Sequence, residues 1–393
     1  MNTEGSANPN RTFRSHDRHR VTRDSRWGLN NTFNQSTHCL LEPIPGYPVQ
    51  FNLLQMLEAW PIDEINGPEA RQDTSYQSLC VFQWSNALDR KKMERYRKLE
   101  LPFIMAGDPE VLEAAHRWNK PGYLVKMLGQ NTKYTTEYSP TNHYIYVNQI
   151  LKARYKGDRK KRKRNPGLPE GGKEEDKTLN ITNTIVQMTY LEWLALAHET
   201  ENATRATSRD AGPQSDSEKP HWYFKFMTCG TYEKGECKST ANVTTSRLAT
   251  LGTELRCLSD PKSFYIIEAD KQKGRIQCKF GMAGITSQAH FDTPRNFLVL
   301  LGGKRRYILS RPGSGNYANF YIHSGAHPSA RHSAVNWSTP NLTEHPMFAK
   351  ARATEAVLKT GEVLYIPPKW IHSIVSLSIT MQCNSWSGSK NNR

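Results

Sequence analysis

His290 and Asp292 are separated by one residue, and the apolar run at residues 297–301 follows them closely. Side chains at positions i and i+2 of a β-strand point to the same face, about 6–7 Å apart along the chain. An imidazole and a carboxylate placed in this way can bind one metal ion together. The spacing therefore predicts two metal ligands at the edge of a buried strand.

A candidate for the third ligand is His372, in the segment GEVLYIPPKWIHSIV. Its place is near the start of a predicted apolar strand at residues 371–379. Two histidines and one carboxylate form the facial triad of non-haem Fe(II) oxygenases, which leaves positions open for other ligands. We therefore expect His290, Asp292 and His372 to bind Fe(II) as the catalytic centre, with room for a bidentate 2-oxo acid and O₂.

A dicarboxylate 2-oxo acid also needs a cation for its second carboxylate. The segment GGKRRY offers Lys304 and Arg305 on the strand that follows the His-x-Asp pair. Arginine can bind a carboxylate through two parallel hydrogen bonds, so we expect Arg305 to take this role. Lys304 is the alternative if the register shifts at the preceding glycines. Ser287, Thr286 and Tyr223 are candidate hydroxyl partners.

Together these motifs resemble the JmjC-domain, cupin-type oxygenases that depend on Fe(II) and 2-oxoglutarate. The likeness is strongest to the branch containing the asparaginyl hydroxylase that inhibits hypoxia-inducible factor. It rests on GMAGITSQAHFDTPRNFLVLLGGKRRYIL, on IHSGAHPSARHSAVN, and on GEVLYIPPKWIHSIVSL followed by CNSW. A segment beginning LPFIMAG also resembles the N-terminal portion of that branch. The resemblance implies a mainly β fold with α elements: a double-stranded β-helix (jelly-roll, cupin-like) core flanked by helices.

The resemblance also implies roles for individual residues. In the family pattern, two hydroxyl side chains and two amides line the 2-oxoglutarate pocket, and an aromatic residue closes the final motif. The matching residues here are Ser287, Tyr223, Asn296, Asn384 and Trp386. The family's distal cation is usually a lysine fifteen residues after the first ligand, and this chain has Arg305 at that position.

The implied reaction is hydroxylation of a protein or peptide side chain. Other readings use the same motifs. An N-methyl-lysine or arginine (histone) demethylase oxidises a methyl carbon, and an RNA-base hydroxylase oxidises a nucleobase. A fourth reading uses the barrel as a non-catalytic binding module. The triad does not distinguish these alternatives.

The composition changes along the chain in a way that predicts its organisation. A charged helix precedes a short strand at residues 101–106, and Asp108 has the position of an N-cap before a helix at residues 109–118. We predict three parts: a disordered tail at residues 1–38, an N-terminal α/β portion at 39–184 with a basic insert at 152–177, and the oxygenase domain at 185–393.

About half of the net charge of +16 lies in one short segment. The run from Lys152 to Arg164 contains nine Lys or Arg residues and one Asp. Such a run is typical of a nucleic-acid contact or a nuclear-localisation signal, and equally of a solvated loop. No apolar stretch is long enough to span a membrane, and the sequence leaves the oligomeric state open.

The cysteines and the glycosylation motifs point to different compartments. The seven cysteines contain no C-x-x-C pair, so we expect no zinc ribbon, and their odd number and scattered spacing are typical of reduced thiols. Reduced thiols and the basic run favour the nucleus or cytoplasm. Eight Asn-x-Ser/Thr acceptors favour a secretory lumen instead; they are Asn10, Asn30, Asn34, Asn180, Asn202, Asn242, Asn336 and Asn341.

Three further histidines follow in the segment IHSGAHPSARHSAVN: His323, His327 and His332. Histidines grouped in this way could bind a second metal ion. The segment lies between predicted strands, where loop histidines without a metal are more common. We therefore expect them to be loop residues.

Overall fold

The computed structural model describes residues 38–65, 76–145, 147, 183–210, 219–229, 245–267 and 275–389. Residues 1–37 of the predicted tail, the basic insert at 152–177 and the basic run within it lie outside the described residues. None of the helices in the described ranges combines the length and apolar character that crossing a membrane requires.

The described ranges contain fifteen strands and seven α-helices. The strands are β1 Phe51–Asn52, β2 Val81–Gln83, β3 Phe103–Ala106, β4 Lys133–Ser139, β5 His143–Tyr144, β6 Thr184–Thr189, β7 His221–Cys229, β8 Arg275–Gly281, β9 Thr286–Phe291, β10 Pro294–Gly302, β11 Lys304–Ser310, β12 Arg352–Lys359, β13 Val363–Ile366, β14 Ile371–Ser376 and β15 Thr380–Ser389. The helices are α1 Leu53–Ala59, α2 Ala87–Lys98, α3 Pro109–Trp118, α4 Tyr123–Leu128, α5 Tyr190–Asp210, α6 Thr245–Thr253 and α7 Ser314–Asn319.

The strands form two sheets. One has the order β1-β12-β11-β14-β9-β5 and the other has the order β2-β3-β13-β10-β15-β8-β7-β4-β6. Consecutive strands such as β9, β10 and β11 alternate between the sheets, as in a jelly-roll, so the predicted mainly β, jelly-roll core is confirmed. The boundaries of the predicted parts stay a prediction; strands from before and after residue 185 share both sheets.

Apolar side chains fill one part of the space between the sheets. Leu298 and Leu300 of β10 pack there with Tyr307 and Leu309 of β11 and Ile374 of β14. Because side chains alternate along a strand, this cluster identifies the faces of β10, β11 and β14 that point into the barrel.

Helices cover the outer face of the nine-stranded sheet. Trp193 of α5 is fully buried against Phe224 of β7 and Phe280 of β8. Every second residue of β7 and β8 therefore lies on an outer, largely aromatic face, and the residues between them point into the barrel.

The N-terminal portion follows its local sequence signals. Asp108 accepts hydrogen bonds from the amides of Glu110 and Val111, and Pro109 occupies the first turn of α3. The predicted cap and the predicted helix at residues 109–118 are confirmed. The strand β3 that precedes it pairs with β13, so this portion is joined to the edge of the barrel.

The expectation of reduced thiols is wrong for four cysteines. Disulfide bonds join Cys39 to Cys80 and Cys278 to Cys383, while Cys257 is a buried free thiol. The partners are 41 and 105 residues apart in sequence, and only the fold brings them together. Cys278 of β8 lies directly opposite Cys383 of β15.

Candidate metal and co-substrate site

The three predicted metal ligands meet at one end of the barrel. His290 lies on β9, Asp292 follows that strand, and His372 on β14 is paired directly with His290. One potential ligand atom from each residue lies within 4.8 Å of the others. Among the described residues, this is the only such group of three His, Cys, Asp or Glu side chains. The arrangement can hold one divalent ion from one side.

Backbone carbonyls orient both imidazoles. The Nδ1 atom of His290 is 2.7 Å from the carbonyl oxygen of Gln288, and Nδ1 of His372 is 3.0 Å from that of Trp370. A carbonyl only accepts, so each Nδ1 donates and each Nε2 retains its lone pair for a metal. The tautomer that these contacts require is therefore the one a metal site needs.

Burial lowers the pKa of both imidazoles. For His290 the pKa lies well below its usual value, because burial is reinforced by the neighbouring His372 and His332. Burial likewise lowers the pKa of His372, although Asp292 opposes the shift. Both side chains are consequently neutral at neutral pH, which is the form that binds metals.

These shifts predict how metal affinity depends on pH. Lowered pKa values mean that protons do not compete for the imidazoles until the solution is more acidic than about pH 6. We expect Mn(II), a stable substitute for Fe(II), to bind with less than about threefold change in affinity between about pH 6 and pH 8. Isothermal titration calorimetry at several pH values measures this. A steep loss of affinity beginning near pH 6.5 would contradict the prediction.

Asp292 is held from several directions. Its Oδ2 lies 4.0 Å from Nε2 of His372 and accepts a 3.4 Å hydrogen bond from the indole of Trp386. Arg331 is 3.8 Å from Oδ1. The side chains of Trp386 and Arg331 are both partly exposed, so they lie at the solvent-accessible edge of this group.

The additional histidines behave in two ways. The ring of His332 stacks on that of His290, with centroids 4.9 Å apart, so this residue contacts the site from its segment between β11 and β12. The rings of His323 and His327 stack on each other. His323 and His327 lie outside helices and strands, in the segment between β11 and β12, as expected of loop histidines, and the described residues contain no second group of three candidate metal ligands.

A bulge in β9 brings Ser287 onto the ligand face. His372 pairs with His290, and Ile374 pairs with Ser287. His372 and Ile374 are two residues apart and share the interior face, whereas their partners are three apart. The additional residue of the bulge restores the alternation, and this explains how a serine three positions before the first ligand can point inward.

Of the two candidate cations, the structure places only Arg305 inside the barrel. Arg305 is fully buried, and its Nε and Nη1 donate to Thr380 and Gln382 at 3.0 and 2.6 Å. Lys304 is exposed at the start of β11. No register shift turns Lys304 inward, so the alternative cation is the weaker assignment on geometric grounds.

The remaining predicted pocket residues surround Arg305. The guanidinium lies 5.7 Å from the ring centroid of the buried Tyr223. On the adjoining strands, Asn384 donates a 3.1 Å hydrogen bond to Asn296, and both amides are buried. Arg305, Tyr223, Asn296 and Asn384 are therefore grouped in one interior region, whereas Lys304 is exposed.

Two cations in this interior were not predicted from the sequence. Lys225 of β7 forms an ion pair with Glu137 of β4. Lys279 of β8 lies directly opposite Lys225, on the face opposite to the aromatic outer one. The only signal in the sequence is the alternation of polar and apolar residues in these strands, which usually indicates a solvent-exposed face.

The residues present fit Fe(II) and 2-oxoglutarate. Two imidazoles and a carboxylate on one side form a donor set that suits Fe(II) and leaves open positions. The Nη2 atom of Arg305 is buried and has no hydrogen-bond partner in the described part of the chain. An unpaired buried donor is costly, and a carboxylate of 2-oxoglutarate would satisfy it.

Comparisons with known proteins agree with this geometry. The family model described as the cupin-like domain matches residues 90–392. The chain is 37% identical to mouse tRNA wybutosine-synthesizing protein 5 over 93 residues, which is 24% of this chain and 27% of that protein. It is 31% identical to Lysine-specific demethylase 8 of Xenopus tropicalis over 119 residues, 30% of this chain and 26% of that protein. These alignments thus span about a quarter of each relative.

Proposed function

Because the chain belongs to the cupin-like domain family, whose JmjC members generally use Fe(II) and 2-oxoglutarate, we propose that it is an oxygenase that hydroxylates a protein side chain. The observation that carries this proposal is the convergence of His290, Asp292 and His372 at the mouth of a barrel that also contains Arg305. A metal site alone has many uses. A one-sided site next to a buried, incompletely paired cation suits a metal-chelating dicarboxylate.

Different residues of the chain would bind the metal ion and the co-substrate. Nε2 of each ligating histidine and a carboxylate oxygen of Asp292 would hold the ion, while Arg305 and Tyr223 would hold the distal carboxylate of 2-oxoglutarate. When bound, the iron supplies the activation of O₂, and the family reaction converts R–H, 2-oxoglutarate and O₂ to R–OH, succinate and CO₂. The apolar cluster between the sheets keeps water from the inner end of the pocket.

Succinate formation tests the proposal. Protein supplied with Fe(II), ascorbate, 2-oxoglutarate and candidate peptides should release succinate and CO₂ in equal amounts, and the modified peptide should gain the mass of one oxygen atom. Iron-loaded, folded protein that releases no succinate beyond the metal-free control, with or without peptides, would count against the oxygenase assignment.

The relatives favour two other oxygenase reactions as second candidates. One relative is named a lysine-specific demethylase and another a tRNA wybutosine-synthesizing protein. Oxidation of an N-methyl group releases formaldehyde, whereas hydroxylation of a carbon side chain does not, so a formaldehyde assay distinguishes the first candidate. An RNA substrate would be expected to bind through the basic run from Lys152 to Arg164, with affinity that falls as salt is added.

A further inference from the structure

We propose that Lys279 recognises the substrate, and that the group placed beside the metal carries a carboxylate, as an aspartyl or glutamyl side chain does. This inference rests on the proposed function and adds the substrate's chemical class to it. It starts from the two lysines inside the barrel, for which 2-oxoglutarate chemistry gives no evident use.

The strand register places Lys279 in the centre of the cavity wall. It lies opposite Lys225 on β7 and opposite Gln382 on β15, and Gln382 is the residue that accepts a hydrogen bond from Arg305. Its sequence neighbours Cys278 and Phe280 are fully buried in the outer core. Alternation along the strand therefore directs Lys279 inward.

Lys279 and Lys225 differ in what they contact. Lys225 forms its ion pair with Glu137, whereas Lys279 has no hydrogen-bond or ion-pair partner among the residues that the structure describes. It is also only partly buried, so the side chain remains accessible. Lys279 is thus a cation available to a ligand.

The pKa of Tyr223 indicates an excess of positive charge around this residue. Burial alone raises the pKa of a tyrosine, yet the charges of Arg305, Lys279 and Lys225 outweigh burial and hold the pKa of Tyr223 below its usual value. The fully buried Tyr307, two residues after Arg305 on the same face of β11, has a raised pKa, because burial outweighs the opposing charge of Arg305. The positive potential is therefore concentrated at the cavity wall formed by β7 and β8.

A count of charges shows what remains after the co-substrate has bound. A divalent ion with Asp292 has one net positive charge, and Arg305 adds a second; the two carboxylates of 2-oxoglutarate neutralise both. Glu137 neutralises Lys225. Inside the barrel, the charge of Lys279 is left over in a confined site, where charges interact more strongly than in water. The other nearby cation, Arg331, lies 3.8 Å from Asp292 and is partly exposed at the edge of the site.

This remaining charge selects among substrate classes. A methylated lysine or arginine would bring a second cation next to Lys279, and like charges at short range disfavour binding. A neutral side chain would leave the ammonium group unpaired. A phosphate monoester would bring nearly two negative charges to a site that lacks one. A single carboxylate restores neutrality. The unpaired charge of Lys279 therefore favours a hydroxylase over a demethylase.

The inference can be tested without the natural substrate. The probes are N-acetyl amides of aspartate, asparagine, lysine and phosphoserine. They are added to protein loaded with Mn(II) and N-oxalylglycine, an unreactive analogue of 2-oxoglutarate. Paramagnetic relaxation of the probe protons by Mn(II) then reports binding near the metal. The variants are Lys279→Met, which keeps the length of the side chain, and Lys304→Met, which removes the same charge from an exposed position.

We expect the aspartate probe to bind the wild-type protein about tenfold more tightly than the asparagine probe, as a charge-assisted hydrogen bond provides. Lys279→Met should reduce this preference to less than about twofold, while Lys304→Met should retain it. Affinity for N-oxalylglycine should stay within about twofold in Lys279→Met, because Arg305 still holds the distal carboxylate.

Several results would overturn the inference. They are equal binding of the aspartate and asparagine probes, a preference that survives in Lys279→Met, tightest binding of the lysine or phosphoserine probe, and a loss of N-oxalylglycine affinity in Lys279→Met. The last result would assign Lys279 to the co-substrate. Failure of the wild-type protein to bind Mn(II) would overturn the proposed function as well, whereas Mn(II) binding without a preference for aspartate would overturn this inference alone.

Discussion

His290→Ala should bind Mn(II) or Fe(II) more than about 100-fold more weakly than the wild-type protein. Loss of a residue that merely supports a metal ligand already lowers metal affinity by about 10–100-fold, and His290 is itself one of three ligands in the group. The variant removes a side chain whose Nδ1 is fixed by the carbonyl of Gln288. Among the described residues, no other His, Cys, Asp or Glu side chain belongs to a group of three that could hold a metal ion.

Calorimetric titration with Mn(II) and equilibrium dialysis with Fe(II) under argon measure this loss. The matched control is His116→Ala, which removes an exposed histidine on α3 and should leave metal affinity unchanged. Circular dichroism and thermal unfolding of the metal-free proteins show whether the fold is retained. Unchanged metal affinity in folded His290→Ala would show that the ion, and with it the proposed chemistry, belongs elsewhere.

Arg305→Met should weaken 2-oxoglutarate binding by about 100-fold, since two charge-assisted hydrogen bonds together contribute about 3 kcal/mol. The effect should be confined to the co-substrate, because Arg305 contacts Thr380 and Gln382 and none of the metal ligands. Metal affinity should therefore stay near that of the wild-type protein. The measurement is a titration of the Mn(II)-loaded protein with 2-oxoglutarate.

Two variants separate the role of Arg305 from a general effect of charge. Arg305→Lys supplies the cation that the family pattern usually has, and should recover affinity to within about tenfold of the wild-type value. Lys304→Met removes a charge one residue away on the exposed face and should have no effect. If Lys304→Met weakened binding and Arg305→Met did not, the alternative cation would be the correct one.

The sequence predicts those parts of this molecule that depend on local patterns. The buried strand at residues 297–301 is the centre of β10, and the cap at Asp108 begins α3. The predicted strand at residues 371–379 is too long, because β14 ends at Ser376 and the chain turns before β15. Tight turns between apolar segments are difficult to locate from hydrophobicity alone.

The candidate site was predictable to the extent that motifs mark it. His290, Asp292 and His372 stand in distinctive contexts, whereas Lys225 and Lys279 stand in ordinary alternating strands. A polar residue between apolar ones faces water in most antiparallel sheets; here both faces are covered, and the polar one lines the cavity. Which face lies inside follows from the pairing of β7, β8 and β15. A local sequence pattern does not predict pairing between strands that are far apart in the sequence.

The disulfide between Cys278 and Cys383 offers a way to observe the cavity wall as it moves. It fastens β8 to β15 beside Lys279 and Gln382, and both sulfur-bearing residues are fully buried. A dissolved thiol can attack the bond only when those strands come apart, because exchange requires access to a sulfur atom. The rate of reduction therefore reports how often the barrel opens transiently between β8 and β15. Slower reduction on adding a ligand would show that the ligand holds these strands together.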